Sequence, residues 1–276
     1  MSHPKEPTGI GKKELTPIFL FFSLVFVISW GWTFIIFFLP DIYYLQSYES
    51  LLGILAILFI SIQSFGPTIS ALVATGYFGG KKGLKQFAKS LVKFKVKYYW
   101  YLLVFFLPIL VYSLPVIFNL AIGNPSNNDY FNVSLWGITF STILSNIFFA
   151  GLAEEPGWRG YALPKMDKHF RPIISGIIIG VIWAFWHLLF YMFGSRPWST
   201  FPQFVFTVTV ISCIYTWIYM KTKSILLMII FHVMHNLSNT VFINYHNPLW
   251  GGIIYFAILI MILLSDSGAL LKKSKP

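Results

Sequence analysis

Long apolar stretches recur along this chain and are divided by short polar ones. Eight stretches, at approximately 17–39, 51–76, 98–121, 133–154, 172–194, 201–220, 224–243 and 248–265, approach the ~20 apolar residues that an α-helix needs to cross a hydrocarbon layer. The last is the shortest. No interval between them is long enough for a soluble domain, and no internal repeat stands out. The pattern predicts an all-α fold: a single integral membrane domain over 1–276, built as a polytopic bundle of about eight transmembrane helices. The segment 1–16 reads as a polar tail. Composition agrees, with 57% hydrophobic and 11% charged residues, where soluble domains average about 25% charged.

The charged residues orient the bundle. Of the 20 lysines and arginines, all but Arg196 fall in the two tails or in the loops after the second, fourth and sixth stretches. Basic loops stay on the cytoplasmic side, so both termini are expected there. This asymmetry also accounts for the net charge of +11, which in a soluble chain would suggest nucleic acid; no nucleic-acid partner is expected here. Seven lysines lie between Lys81 and Lys97. Within that run Leu84, Phe87, Leu91 and Phe94 recur at helical steps, with Lys85, Lys89 and Lys93 between them. Residues 78–97 are therefore expected to form a basic surface helix, apolar face on the membrane and lysines towards anionic lipid. A solvated basic loop that only fixes topology is the alternative. Cys213 is the only cysteine, so neither an intrachain disulfide nor a cysteine metal cage is expected. The first apolar run is long enough to span and no small-residue cleavage site follows it, so a signal peptide is not expected.

A few polar residues do not fit a purely structural reading. Glu154 and Glu155 are adjacent acids in Glu154-Glu155-Pro156-Gly157-Trp158-Arg159. A carboxylate in a membrane helix costs roughly 3 kcal/mol on insertion scales and marks a functional candidate. Arg159 is four residues after Glu155, the spacing of a pair on one helical face. The division that follows makes Glu155 a structural partner of Arg159 and leaves Glu154 as a general base. Pro156 is expected to disfavour helical geometry at Glu155 and to place the pair at a kink or a helix junction. An ordinary helix end, with its charges in water, remains the alternative. His187 closes Trp183-Ala-Phe-Trp-His187 in the fifth stretch, where Trp183 lies one turn earlier and could wall the same pocket. A lone histidine there could equally bond to a neighbouring helix. In the seventh stretch His232, His235, Asn236 and Asn239 fall within an arc of about 100°, and such a stripe must face protein or a water-filled cavity. Interhelical hydrogen bonding is the alternative. Gly176 and Gly180 form a small-xxx-small pair suited to close packing within the chain.

Glutamate, histidine and asparagine together suit hydrolysis: the acid activates water, a histidine shares the proton, and His and Asn hold an oxyanion. No HExxH occurs, and no serine or cysteine sits in a nucleophile motif. At this point the chain resembles the CAAX protease and bacteriocin-processing family, the type II CAAX prenyl endopeptidase-like or Abi proteins. Their pattern is EExxxR, then FxxxH, then HxxxN. It is matched in order by Glu154–Arg159, by Trp183–His187 with tryptophan for phenylalanine, and by His232–Asn236. The resemblance implies a metal-independent intramembrane glutamate protease without a cofactor. It assigns water activation to Glu154 and His187, an oxyanion hole to His232 and Asn236, and support to Glu155 and Arg159, with Trp183 as a supporting aromatic wall that departs from the family's phenylalanine. It places the catalytic core helices within 133–243, in a multi-pass protein of a prokaryotic cell membrane. Its substrate would be a peptide or a lipidated, for example prenylated, protein, met among membrane lipids. Many prokaryotic relatives are linked to bacteriocin immunity. A metal-dependent membrane hydrolase, a non-catalytic immunity or peptide-binding protein, and a proton-relay transporter are the competing readings.

Depth sets one further condition. At 1.5 Å per residue His187 lies about 22 Å from the cytoplasmic end of its stretch and His232 about 12 Å. For Glu154 to meet them, either the fourth helix runs on past Arg159 inside the membrane, or the fifth begins later than its hydropathy suggests. The constellation is expected in a cytoplasm-facing cavity.

Overall fold

A computed structural model describes residues 12–39, 50–123, 140–193, 196–242 and 249–273. The first part of the tail (1–11), the start of the fourth apolar stretch (133–139) and the last three residues lie outside the described residues. The helices are α1 (Lys12–Phe37), α2 (Leu51–Ser61), α3 (Gly66–Leu91), α4 (Tyr98–Ala121), α5 (Phe140–Asn146), α6 (Ala153–Glu155), α7 (Leu163–Met166), α8 (Pro172–Trp186), α9 (Leu188–Met192), α10 (Phe201–Thr222), α11 (Ile225–Phe242), α12 (Leu249–Ser265) and α13 (Gly268–Leu271). Among the described residues there is no strand.

Each of the eight apolar stretches falls on helix over most of its described residues. Six helical runs among the described residues are long and apolar enough to cross a membrane: Glu14–Phe37, Leu51–Leu91, Tyr98–Ala121, Pro172–Met192, Trp198–Thr222 and Ile225–Phe242. Leu249–Ser265 is a shorter apolar helix. The fourth stretch is assembled from pieces. The π-helical segments Ile147–Leu152 and Pro156–Ala162 join α5, α6 and α7 into one run over 140–166. That run continues past Arg159, while α8 starts at Pro172 as its hydropathy suggests. Of the two ways to bring the glutamates to the histidines, the structure takes the first. The chain is thus an all-α, multi-pass integral membrane protein.

Close contacts fix the helices around the 140–166 run. A Cβ at Gly157 would lie 2.5 Å from the carbonyl carbon of Pro67, so only glycine lets α3 approach there. A Cβ at Gly180 would lie 2.7 Å from Thr209 Cα. The small-xxx-small pair therefore packs α8 on α10 within the chain. α11 lies between α4 and the first π-helical segment. α3 bends at Gly80, whose φ of 56° and ψ of −157° suit glycine, and continues as a helix to Leu91. Its lysines are exposed, but Phe87 is buried and a Cβ at Gly160 would touch it. Part of the apolar face predicted for 78–97 therefore packs on protein, leaving Phe94 60% exposed.

Candidate active site

The two glutamates sit on α6, a three-residue α-helical island between two π-helical turns. Glu155 keeps helical dihedrals (φ −62°, ψ −36°) although a proline follows it, which corrects the expectation that Pro156 would push it out of the helix. The reason lies in where the lost hydrogen bond would have gone. In an α-helix the amide of residue 156 would donate to the Leu152 carbonyl. Proline has no amide proton, and the Thr68 hydroxyl on α3 donates to that carbonyl instead, at 2.9 Å. The helix widens there without breaking, as π-bulges do near functional sites. Successive side chains leave a helix about 100° apart, so Glu154 and Glu155 face different neighbours.

Glu155 faces Arg159 and α11. Arg159 Nη1 donates to both carboxylate oxygens, at 3.0 and 3.2 Å. His232 Nδ1 donates to Oε1 at 2.8 Å. The Arg159 guanidinium lies 4.6 Å from the Trp183 ring and 4.1 Å from the Tyr215 ring, with Nη2 3.4 Å from Ser212 Oγ. Glu155 and Arg159 are both 0% exposed. A buried ion pair needs such additional partners, because taking both charges out of water costs several kcal/mol each.

Glu154 faces α8. Trp183 Nε1 donates to Glu154 Oε2 at 2.5 Å, and Trp158 Nε1 reaches the same oxygen at 3.4 Å. Among the described residues nothing donates to Oε1, and Glu154 keeps 5% of its surface accessible where Glu155 keeps none. His187 marks a break between α8 and α9. Its Nδ1 donates to the Trp183 carbonyl at 2.8 Å, taking the acceptor its own amide would use in an α-helix. The amide bonds instead to the Ala184 carbonyl, one residue nearer, at 3.1 Å. In the neutral ring Nε2 is then the acceptor nitrogen. Trp183 is the shared neighbour, with its ring centroid 5.4 Å from that of His232 and 6.1 Å from that of His187.

Six of the seven residues singled out from the sequence meet around Trp183: the two glutamates, Arg159, Trp183 itself and the two histidines. Asn236 lies one helical turn beyond His232 on α11 and is half-buried. His235, from the same stripe, turns away into a second polar cluster, where its Nδ1 is 3.2 Å from Tyr255 Oη and its Nε2 3.4 Å from Tyr112 Oη. Interhelical bonding is the reading the structure supports for that histidine. Sequence reasoning missed Trp158, Ser212 and Tyr215. Trp158 was findable, since it stands to Glu154 as Arg159 stands to Glu155. The others come from distant segments. A cavity of about 90 Å³ lies beside the His187 turn, lined by Ser29, Thr33, Gln63, Trp186 and Phe190 among others. Neither glutamate nor either histidine lines it. Among the described residues no three His, Cys, Asp or Glu side chains are placed to hold a metal ion.

Fold and site together define a class: a polytopic helical membrane protein with buried carboxylates, histidines and an arginine drawn from three helical runs. Residues 135–238 match the family model described as type II CAAX prenyl endopeptidase Rce1-like, and that stretch holds all three motifs. The chain is also 30% identical over 148 residues to "CAAX prenyl protease 2" of Methanococcus maripaludis, a match covering 49% of this chain and 54% of the relative. The chain thus spans about half the length of the curated relative it matches. The resemblance drawn from the motifs is shown for the stretch that carries them.

Proposed function

We propose that this protein is an intramembrane endopeptidase of the CAAX prenyl protease type, hydrolysing a peptide bond with water activated by Glu154. The carrying observation is the difference between the two carboxylates: Glu155 is closed by Arg159 and His232, while the donors to Glu154 among the described residues all reach one oxygen. Oε1 of Glu154 takes a proton from water as the water oxygen attacks the scissile carbonyl carbon. The tetrahedral intermediate then collapses, the C–N bond breaks, and the proton passes from Glu154 to the leaving nitrogen. His187 shares that proton through Nε2. His232 and Asn236 face the developing oxyanion. Because His232 Nδ1 already donates to Glu155, its ring must carry both protons to donate through Nε2. Glu155 and Arg159 hold His232 and the helix in register.

The substrate proposed is the C-terminal segment of a lipidated, prenylated protein, reached from the cytoplasmic side. The distribution of basic residues supports both termini on that side of a prokaryotic cell membrane. The test is cleavage of internally quenched CAAX peptides, farnesylated and unmodified, by purified protein in detergent, with and without a chelator. Wild type should cleave the farnesylated peptide with the chelator present, and Glu154→Gln should not. Cleavage retained by Glu154→Gln, or abolished by chelation, would overturn the mechanism.

A further inference from the structure

Two tryptophans aim their N–H groups at one oxygen of the proposed base, and one of them replaces the phenylalanine of the motif. Trp183 Nε1 is 2.5 Å from Glu154 Oε2 and Trp158 Nε1 is 3.4 Å away. A phenylalanine would supply the same aromatic wall but no donor. Trp183 is 4% exposed, and an indole N–H buried that deeply needs an acceptor. The Trp183 carbonyl accepts from His187 Nδ1. One residue therefore holds the proposed base with its side chain and fixes the proposed proton-sharing histidine with its backbone. We infer that Trp183 is a positioning residue that caps Oε2 of Glu154, so that Oε1 alone is left to take the proton from water.

Three features make this more than packing. Both indoles converge on the same oxygen, so the other is left without a donor among the described residues. The Trp183 ring is fixed from its faces and edges, with Arg159 at 4.6 Å and Tyr215 edge-on at 6.1 Å between centroids. Its N–H direction is therefore set by the closed Glu155 side of the site. Trp158 is 0% exposed and packs edge-on against Phe21 and Trp186, which anchors the second, longer donor. A wall residue acts on substrate binding, whereas a donor to the base acts on the chemical step. The two roles separate in kinetics.

This inference rests on the proposed function, and the experiment separates their failures. Cleavage of the farnesylated quenched peptide is measured for wild type, Glu154→Gln and Trp183→Phe. A third protein carries benzothienylalanine at 183, which keeps the ring size and replaces only the N–H with sulfur. Positioning predicts that both position-183 proteins lose about 10- to 100-fold in kcat, as small displacements of a reacting group do, with KM unchanged. An unchanged kcat, or a raised KM with kcat intact, makes Trp183 a wall and overturns the inference while leaving the base assignment in place. Wild-type activity in Glu154→Gln overturns the function itself. If Trp183→Phe does not fold, the benzothienylalanine protein decides. A readout without substrate runs beside these: the indole N–H resonance of Trp183 in 15N-indole-labelled protein, identified by its loss in Trp183→Phe. It should lie downfield and move upfield in Glu154→Gln; a resonance indifferent to that change also overturns the inference.

Discussion

Glu154 and Glu155 are neighbours in the chain and differ in almost everything else. Around Glu155 each group answers another: two contacts from Arg159, one from His232, and two aromatic rings about the guanidinium. Around Glu154 one oxygen is taken by indole N–H groups, and among the described residues nothing donates to the other. A carboxylate that accepts at both oxygens and whose exposure is zero is fixed in place and closed to water. A carboxylate anchored through one oxygen keeps both an orientation and a free lone pair. Burial alone therefore does not mark the reactive acid, since both are buried. An oxygen that receives no donor among the described residues does.

The sharpest way to break this comparison is to neutralise each acid in turn. Glu154→Gln keeps an acceptor for Trp183 and should cost about 10²- to 10⁴-fold in kcat, the usual worth of a positioned general base. Its melting temperature in detergent should stay close to wild type. Arg159→Ala should do the reverse, lowering unfolding free energy by about 3–5 kcal/mol because it strands Glu155 as a buried, unpaired charge. Arg159→Lys should rescue little of that loss, since a lysine cannot keep the planar stacking on Trp183 and Tyr215. If the Glu154 and Glu155 sides gave the same mixture of lost stability and lost activity, the division between them would fail.

Much of this arrangement was legible beforehand, for reasons that can be named. The helices were visible because lipid forces backbone groups to bond internally, so apolar length reports a span. The Glu155–Arg159 pair was visible because i,i+4 spacing is a local rule. The meeting of three motifs could be expected from their chemistry, but not which histidine joins which acid: His232 reaches Glu155 across 77 residues. The backbone around Pro156 was misjudged because the group that replaces its missing donor, Thr68, lies 84 residues before the carbonyl it serves. Trp183 was read as a wall because an aromatic residue in an apolar helix carries no mark of what its N–H will find.

A smaller effect tests how the open carboxylate is held. Thr68→Val keeps the shape but removes the donor to the Leu152 carbonyl. It should cost about 1–2 kcal/mol in unfolding free energy, the usual penalty of one unsatisfied buried acceptor. Because the freed carbonyl belongs to the turn that carries Glu154, kcat should fall with it, while Glu155 stays pinned by Arg159 and His232. A loss of stability with kcat unchanged would show that the widened turn is held by its surroundings rather than by Thr68.

The smallest effect comes from an ion pair at the end of the bundle, between Lys221 in the last turn of α10 and Asp266 just after α12, which serves as the exposed counterpart of Glu155–Arg159. Lys221 Nζ lies 2.6 Å from Asp266 Oδ2, with side chains 34% and 36% exposed, and Trp217 Nε1 donates to Oδ2 at 3.0 Å. The hydrogen bond from Lys221, then that from Trp217, holds the Asp266 carboxyl below its ordinary value. A carboxyl whose folded value is depressed stabilises the fold above the ordinary value of about 4 and loses that contribution as pH falls below it. In water and salt such a pair is worth under about 1 kcal/mol. Asp266→Asn keeps an acceptor for Trp217 and removes the charge, so its melting temperature should sit slightly below wild type at neutral pH. The gap should narrow as pH falls below about 4 and in about 1 M salt, where screening acts within a few ångströms. Glu155–Arg159 has no solvent contact for salt to act through, so the destabilisation from Arg159→Ala should be the same in low and high salt. Equal salt sensitivity in the two pairs would mean that water reaches Glu155, and the contrast between a closed and an open carboxylate would lose its physical basis.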